Sequence, residues 1–226
     1  MIDSGIVEEI EDMLAEEGGY YAQWMSRDAQ RIAKEFPSEW KEAFQNHLLP
    51  EAIAKLWSGV SKHLPRFTKL LSAKTMDVVV VSSDTAPPSL LYVLVDESAG
   101  EFVAYRGYLG TVDSTDLSKK LPIDVSPLYA IHNGWVELAS LEDGPLPMAD
   151  WDLIETQDSK FLQMMSLEED SMGFDLTESP AKAYMLWRSH QEVEDIEDFW
   201  PWLDDFLSES IEDFDNAPVA KLRTLN

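Results

Sequence analysis

The sequence predicts an α+β fold: a central, mostly antiparallel sheet wrapped by helices, with a helical N-terminal region. Three observations carry that prediction. Apolar residues recur at helical spacing through the first third of the chain. A continuous β-branched run, MDVVVV at 76–81, is then followed by two more strand-like segments. No strand–helix–strand alternation with a glycine-rich turn appears, which argues against a doubly wound nucleotide-binding fold.

In chain order, Ile6, Val7, Ile10, Met13 and Leu14 form the apolar face of a first helix, capped by Asp3 or Ser4 and stopped by Gly18-Gly19. Tyr21, Trp24, Met25, Ile32 and Phe36 read as the buried side of a second helix, ended by Pro37. Ser38 opens a third, with Trp40, Phe44 and Leu48 stacked along it. Pro50 suits the first turn of a fourth carrying Ile53, Leu56, Trp57 and Val60, and Pro65 begins another short helical segment. The strands at 76–81, 90–95 and 101–106 are joined by SSDTAPPS and by DESAG, so they predict an antiparallel meander.

Beyond Asp113, the spacing predicts a short helix from Pro127 to His132 with Asn133-Gly134 as its C-terminal cap, then a strand at 135–138. A proline-bearing loop leads into WDLI, and KFLQMMSL reads as helical. AKAYMLWR (181–188) alternates Ala183, Met185 and Trp187 against Tyr184, Leu186 and Arg188, as a strand does. A last helix is expected from about Glu194 to Phe214. With no internal repeat or low-complexity linker, residues 1–226 read as a single domain: a helical region at 1–75 and a sheet-containing core with an acidic C-terminal helix at 76–215.

Charge is the strongest functional signal. The chain has 43 acidic and 17 basic residues, a net charge of −26 over 226 residues. Eleven carboxylates lie between Glu192 and Asp215 with no Lys or Arg among them. Ile196, Phe199, Leu203, Phe206 and Leu207 are interleaved as an apolar stripe that should dock on the domain, leaving Asp195, Asp198, Asp205, Glu209 and Glu212 facing outward. Such a surface repels nucleic acid and anionic membrane and speeds encounter with a basic partner. The plain alternative is a solvated face that keeps an acidic protein soluble. However, a structural face usually mixes signs for pairing along a helix, and this run does not. Glu194, Asp195, Asp198, Trp200, Trp202, Asp204, Asp205, Glu209 and Glu212 are therefore the candidate partner-binding residues, with the two tryptophans as aromatic anchors.

Residues 27–74 are the one positive stretch, with nine basic and five acidic residues. Their dispersal over several helices suits a role in complementing the acidic ends, within the fold or between subunits, better than a nucleic-acid site.

Composition removes other classes. The absence of cysteine excludes disulfides, thiolate metal sites and a Cys nucleophile. MIDSGIVEEIEDM is acidic where a targeting peptide needs positive charge, and no apolar run approaches the roughly 20 residues of a membrane span. The expectation is a soluble protein of the cytoplasm. Glu8, Glu9, Glu11 and Asp12 lack the His at i+3 or i+4 of di-metal bundles. His47, His63, His132 and His190 are scattered and read as surface or capping residues, and no Gly-x-Ser-x-Gly elbow occurs. No catalytic residue, metal or cofactor is expected.

Several short motifs occur in one order: Leu121-Pro122, the aromatic segment PLYAI, Asn133-Gly134, the strand Trp135 to Leu138, the loop from Pro145 to Ile154, the strand AYMLW, and EDFWPWLDDFL. In kind and order they resemble the SUKH superfamily, which includes fungal Smi/Knr cell-wall regulators and many bacterial immunity proteins. The resemblance covers residues 76–215. It implies an α+β fold and a non-catalytic role: binding and neutralising a cognate bacterial toxin, often a nuclease or other nucleic-acid-directed effector, from a type VI secretion or contact-dependent system. The charge agrees independently, because a carboxylate-rich surface can occupy a basic nucleic-acid cleft as a phosphate mimic. The alternative within the resemblance is a regulatory scaffold or adaptor of Smi/Knr type. A third class, a hydrolase using carboxylates that the sequence does not pair, would need a deep pocket holding two perturbed acids. Oligomeric state is not readable from the sequence.

Overall fold

The computed structural model describes residues 2–26, 37–44, 47–96, 99–111, 116–141, 143–155, 160–167, 169–187 and 192–216. It contains helices and two antiparallel sheets, the α+β class expected. The chain divides into two compact units: residues 1–106 with 203–226, and residues 107–202.

In the first unit, α1 (Ser4–Gly18) begins where the Asp3 carboxylate accepts from Gly5 N and ends at Gly19, whose φ of 72° suits a residue without a Cβ. Ile6, Val7, Ile10 and Leu14 are its buried face, as the periodicity predicts. The second predicted helix is corrected at its start: Tyr21–Trp24 is a strand, β1, paired antiparallel with β2 (Thr75–Ser82) from Tyr21↔Ser82 to Trp24↔Val79. Met25 and Ser26 are helical, and the rest of that predicted helix, with Ile32 and Phe36, lies outside the described residues. Helices α2 (Ser38–Phe44), α3 (Leu49–Leu56) and α4 (Pro65–Lys74) follow, the last two with proline in the first turn. Leu48 does not continue the α2 stripe; it is 73% exposed ahead of α3.

β2, β3 (Ser89–Asp96) and β4 (Glu101–Leu109) form the predicted meander, and the first sheet runs β1-β2-β3-β4. Val78, Val79 and Val81 are fully buried, as a central strand requires. Trp57 packs edge-on against Phe67 at 5.1 Å and donates its indole N–H to the Tyr92 hydroxyl at 3.1 Å. Arg106 is buried and satisfied within this unit: it reaches both Glu17 oxygens at 2.7 Å and Ser89 Oγ at 2.8 Å, and lies 4.3 Å over the Tyr20 ring.

The second unit takes up the 107–109 end of β4, with β5 (His132–Glu137) beside β4 in the sheet. Helix α5 is only Ser126–Tyr129, so Asn133-Gly134 is not its cap; both residues already lie in β5. Gly134 has a φ of +106°, and a Cβ there would lie 2.6 Å from Pro147 N. Asn133 Oδ1 accepts from Met148 N at 3.0 Å. The remaining strands are β6 (Gly144–Pro145), β7 (Asp152–Glu155), β8 (Lys160–Leu167), β9 (Asp170–Asp175), β10 (Lys182–Trp187) and β11 (Glu192–Ile196). They form an antiparallel sheet in the order β11-β10-β9-β8-β6, with β7 also on β8. KFLQMMSL is therefore a strand rather than a helix. Phe161, Leu162, Met164 and Met165 are buried along it, and the register shifts between Gln163 and Met165.

The acidic C-terminal segment is corrected too. It is two elements: β11, then α6 (Phe199–Asn216). The division between the units falls inside α6, after Trp202.

Candidate functional site

The acidic candidates separate according to the element that carries them. Glu194 and Asp195 lie on β11, not on a helix. This strand ends its sheet, hydrogen-bonded to β10 on one side, and among the described residues no strand pairs with its other edge. Glu192, Val193, Glu194 and Asp195 are all exposed, and Val193 keeps 64% of its surface in solvent. The register sets Tyr184 opposite Asp195, Leu186 opposite Val193 and Met185 opposite Glu194. Alternation along paired strands therefore places Tyr184, Leu186, Val193 and Asp195 on one face of the ribbon. On the other, Ala183 and Met185 are buried with Ile196, anchoring the strand. Glu194 extends past that core and accepts from the Trp187 indole at 3.0 Å.

Few basic groups moderate this edge. The second unit holds 20 acidic and 5 basic residues, net −15, against 23 and 12, net −11, for the first. Lys182, on neighbouring β10, pairs with Glu178 at 2.8 Å, and the Tyr184 hydroxyl donates to the same carboxylate at 2.7 Å. Lys182 first, then Tyr184, hold the Glu178 carboxyl below the usual carboxylate range. Glu197 and Asp198 continue the exposed run, and Asp198 O accepts from Trp202 N at 3.2 Å in the first turn of α6. Trp200 and Trp202, expected as anchors, are both half-buried, and Trp200 meets Phe199 edge-on at 5.3 Å. Phe199 itself is buried, 5.7 Å from the Phe174 ring.

The α6 carboxylates do different work. Leu203, Leu207 and Ile211 are buried at helical spacing, close to the predicted stripe, while Phe206 is only half-buried. Asp204 is also buried, at 8% exposure, which removes it from the candidate partner-binding residues. It accepts from Phe67 N at 2.9 Å and Arg66 N at 3.1 Å, the first-turn amides of α4. That helix begins after Leu64, which has no capping side chain, so Asp204 supplies both the acceptor and the negative charge that a helix N-terminus favours. Arg66 then donates to Asp205 at 2.9 Å and pairs with Glu212. These contacts realise the expected role of the basic stretch, at Arg66, as complement to an acidic end. Asp205 and Glu209 are exposed, as expected, and Glu212 is half-buried.

A family-model scan, a search of curated proteins and a search of solved structures each return no match.

Elsewhere, His132 corrects the expectation that the histidines are surface or capping residues. It is buried beside Gly107, where a Cβ would lie 2.5 Å from its ring, and its Nδ1 donates to Tyr108 O at 3.0 Å. Burial lowers its pKa to about 4, despite the opposing effect of that hydrogen bond. His190 lies outside the described residues, and so do Arg27, Arg31 and Lys34 of the basic stretch. Among the described residues, no group of three or more His, Asp and Glu is placed to hold a metal ion, and no helix is long and apolar enough to cross a membrane.

Proposed function

We propose that this protein is an immunity protein of SUKH type, which binds a basic, nucleic-acid-directed bacterial toxin and blocks it without performing chemistry. The observation that carries this reading is the exposed acidic run Glu192 to Asp198, held on β11 and the approach to α6 rather than on an unstructured tail. A row of carboxylates carried on a strand attracts a basic cleft over a distance of about a Debye length, ~8 Å at physiological salt. It also presents negative groups that can occupy a phosphate-binding surface in place of phosphate. Glu194, Asp195 and Asp198 are the residues assigned to that encounter. Asp204 is removed from the binding set because its carboxylate is committed to α4. The compartment in this reading is the cytoplasm, where an incoming effector must be met.

Co-expression with the product of the adjacent gene tests the reading. Growth should be rescued by this chain and lost on charge reversal of Glu194, Asp195 and Asp198. A toxic neighbour that this chain neither binds nor neutralises would refute it.

A further inference from the structure

Resting on the basic-partner reading above, we infer that β11 is a strand-addition site: a basic, extended segment of the partner pairs main chain to main chain along its outer edge, with which no strand pairs among the described residues. Three features of the second unit lead there. First, β11 is a five-residue strand at the end of its sheet, so alternate backbone N–H and C=O groups along it face away from β10. Second, its exposed side chains are not uniformly charged. Val193 is 64% exposed and opposite Leu186, with half-buried Tyr184 two residues along β10, so an apolar strip lies beside the open edge. Third, Glu192, Glu194, Asp195, Glu197 and Asp198 bracket that strip, and no Lys or Arg lies between Glu192 and Asp198.

The charges choose the occupant. A second copy of this chain would bring its own Glu192, Glu194 and Asp195 against these, and like charges on neighbouring strands repel. An acidic or neutral segment would bring no positive charge to these carboxylates beyond that of Lys182, which acts on Asp195 from β10. A segment alternating Lys or Arg with β-branched residues meets both requirements, setting cations against the acidic side chains and apolar groups against Val193 and Leu186. Main-chain bonds then supply affinity, and the side-chain pattern supplies selectivity.

A charged edge also has a purely protective use, as a guard against sheet-to-sheet aggregation, and the experiment separates the two. The probe is a short acetylated and amidated peptide alternating Lys and Val, monomeric at working concentration. Its control is the same peptide with N-methyl groups on alternate backbone nitrogens, which keeps charge and side chains but removes donors. Binding to the full chain is read by titration, and amide hydrogen exchange reports on Glu192 to Ile196. Strand addition predicts slower exchange at β11 and about tenfold weaker binding of the methylated peptide, since two or so hydrogen bonds are lost. Equal, salt-sensitive binding of both peptides overturns strand addition while leaving the basic-partner reading intact. Binding of neither, with the adjacent gene product still captured, overturns the edge as a site and marks it as a guard. A Val193→Lys variant that binds the unmodified peptide as well as the parent does also contradicts the inference.

Discussion

The carboxylates of β11 and those of α6 belong to one uninterrupted acidic run, yet they serve opposite ends. On α6, Asp204 is buried against the first turn of α4, and Asp205 and Glu212 pair with Arg66. On β11, Glu192, Glu194 and Asp195 stand in solvent, with an indole N–H as the partner of Glu194. Net charge treats these groups alike; accessibility and compensation separate them. A run of like charges is thus a poor guide to a binding surface until the structure shows which members the fold has already used.

The comparison breaks most sharply at Asp204. Asp204→Ala leaves two first-turn amides of α4 without their acceptor in a buried setting, and should cost about 2–3 kcal/mol in urea unfolding. Neutralising Glu192, Glu194 and Asp195 together should leave the urea midpoint unchanged. Equal losses from both would abolish the distinction.

Acid sharpens it next, once the His132 contribution is separated. The folded His132 pKa lies near 4, below its ordinary 6.5, so the folded state prefers the neutral ring. Its stabilisation is complete above pH 6.5 and is lost as pH falls towards 4, by up to about 3 kcal/mol. His132→Asn keeps a donor for Tyr108 O without a titrating ring. It should lower stability at neutral pH but flatten that part of the profile, as chemical unfolding across the window will show. An identical slope in parent and variant would place the acid sensitivity elsewhere.

A smaller effect is expected at Arg66. Arg66→Gln removes the cation beside Asp205 and Glu212 while keeping the backbone amide that Asp204 caps. The loss should be slight and should fade as salt is raised, since the pair is solvent-accessible. A loss as large as that of Asp204→Ala would mean that the ion pair, rather than the cap, ties α6 to α4.

Much of the architecture is legible in the residues, and its failures have physical causes. α1 is readable because its period, cap and glycine stop agree. β2 and β10 are readable because a buried central strand and an alternating one leave distinct patterns. β8 is not: Leu, Met, Gln and Lys favour helices, and packing against β7 and β9 overrides that preference. β1 was obscured by the helix-like spacing of Tyr21, Trp24 and Met25, although the extended chain is fixed by pairing with β2. β11 carries acids that strands disfavour, and an edge tolerates them because one side faces water. At the site, the acidic character was visible and its division was not. The capping of α4 by Asp204 joins residues 137 and 138 positions apart, beyond the reach of any local pattern. Val193 carried no signal either, since a lone valine among carboxylates reads equally well as the inner side of a helix.

The association rate with the adjacent gene product, followed from low to high salt, tests the central claim most directly. The parent should associate fast and slow steeply as salt rises, and Glu192→Gln/Glu194→Gln/Asp195→Asn should reduce the low-salt rate by about tenfold or more. The same neutralisation at Asp205 and Glu209 should change it far less. A rate indifferent to salt, or a β11 variant that associates as fast as the parent, would contradict the assignment of this edge.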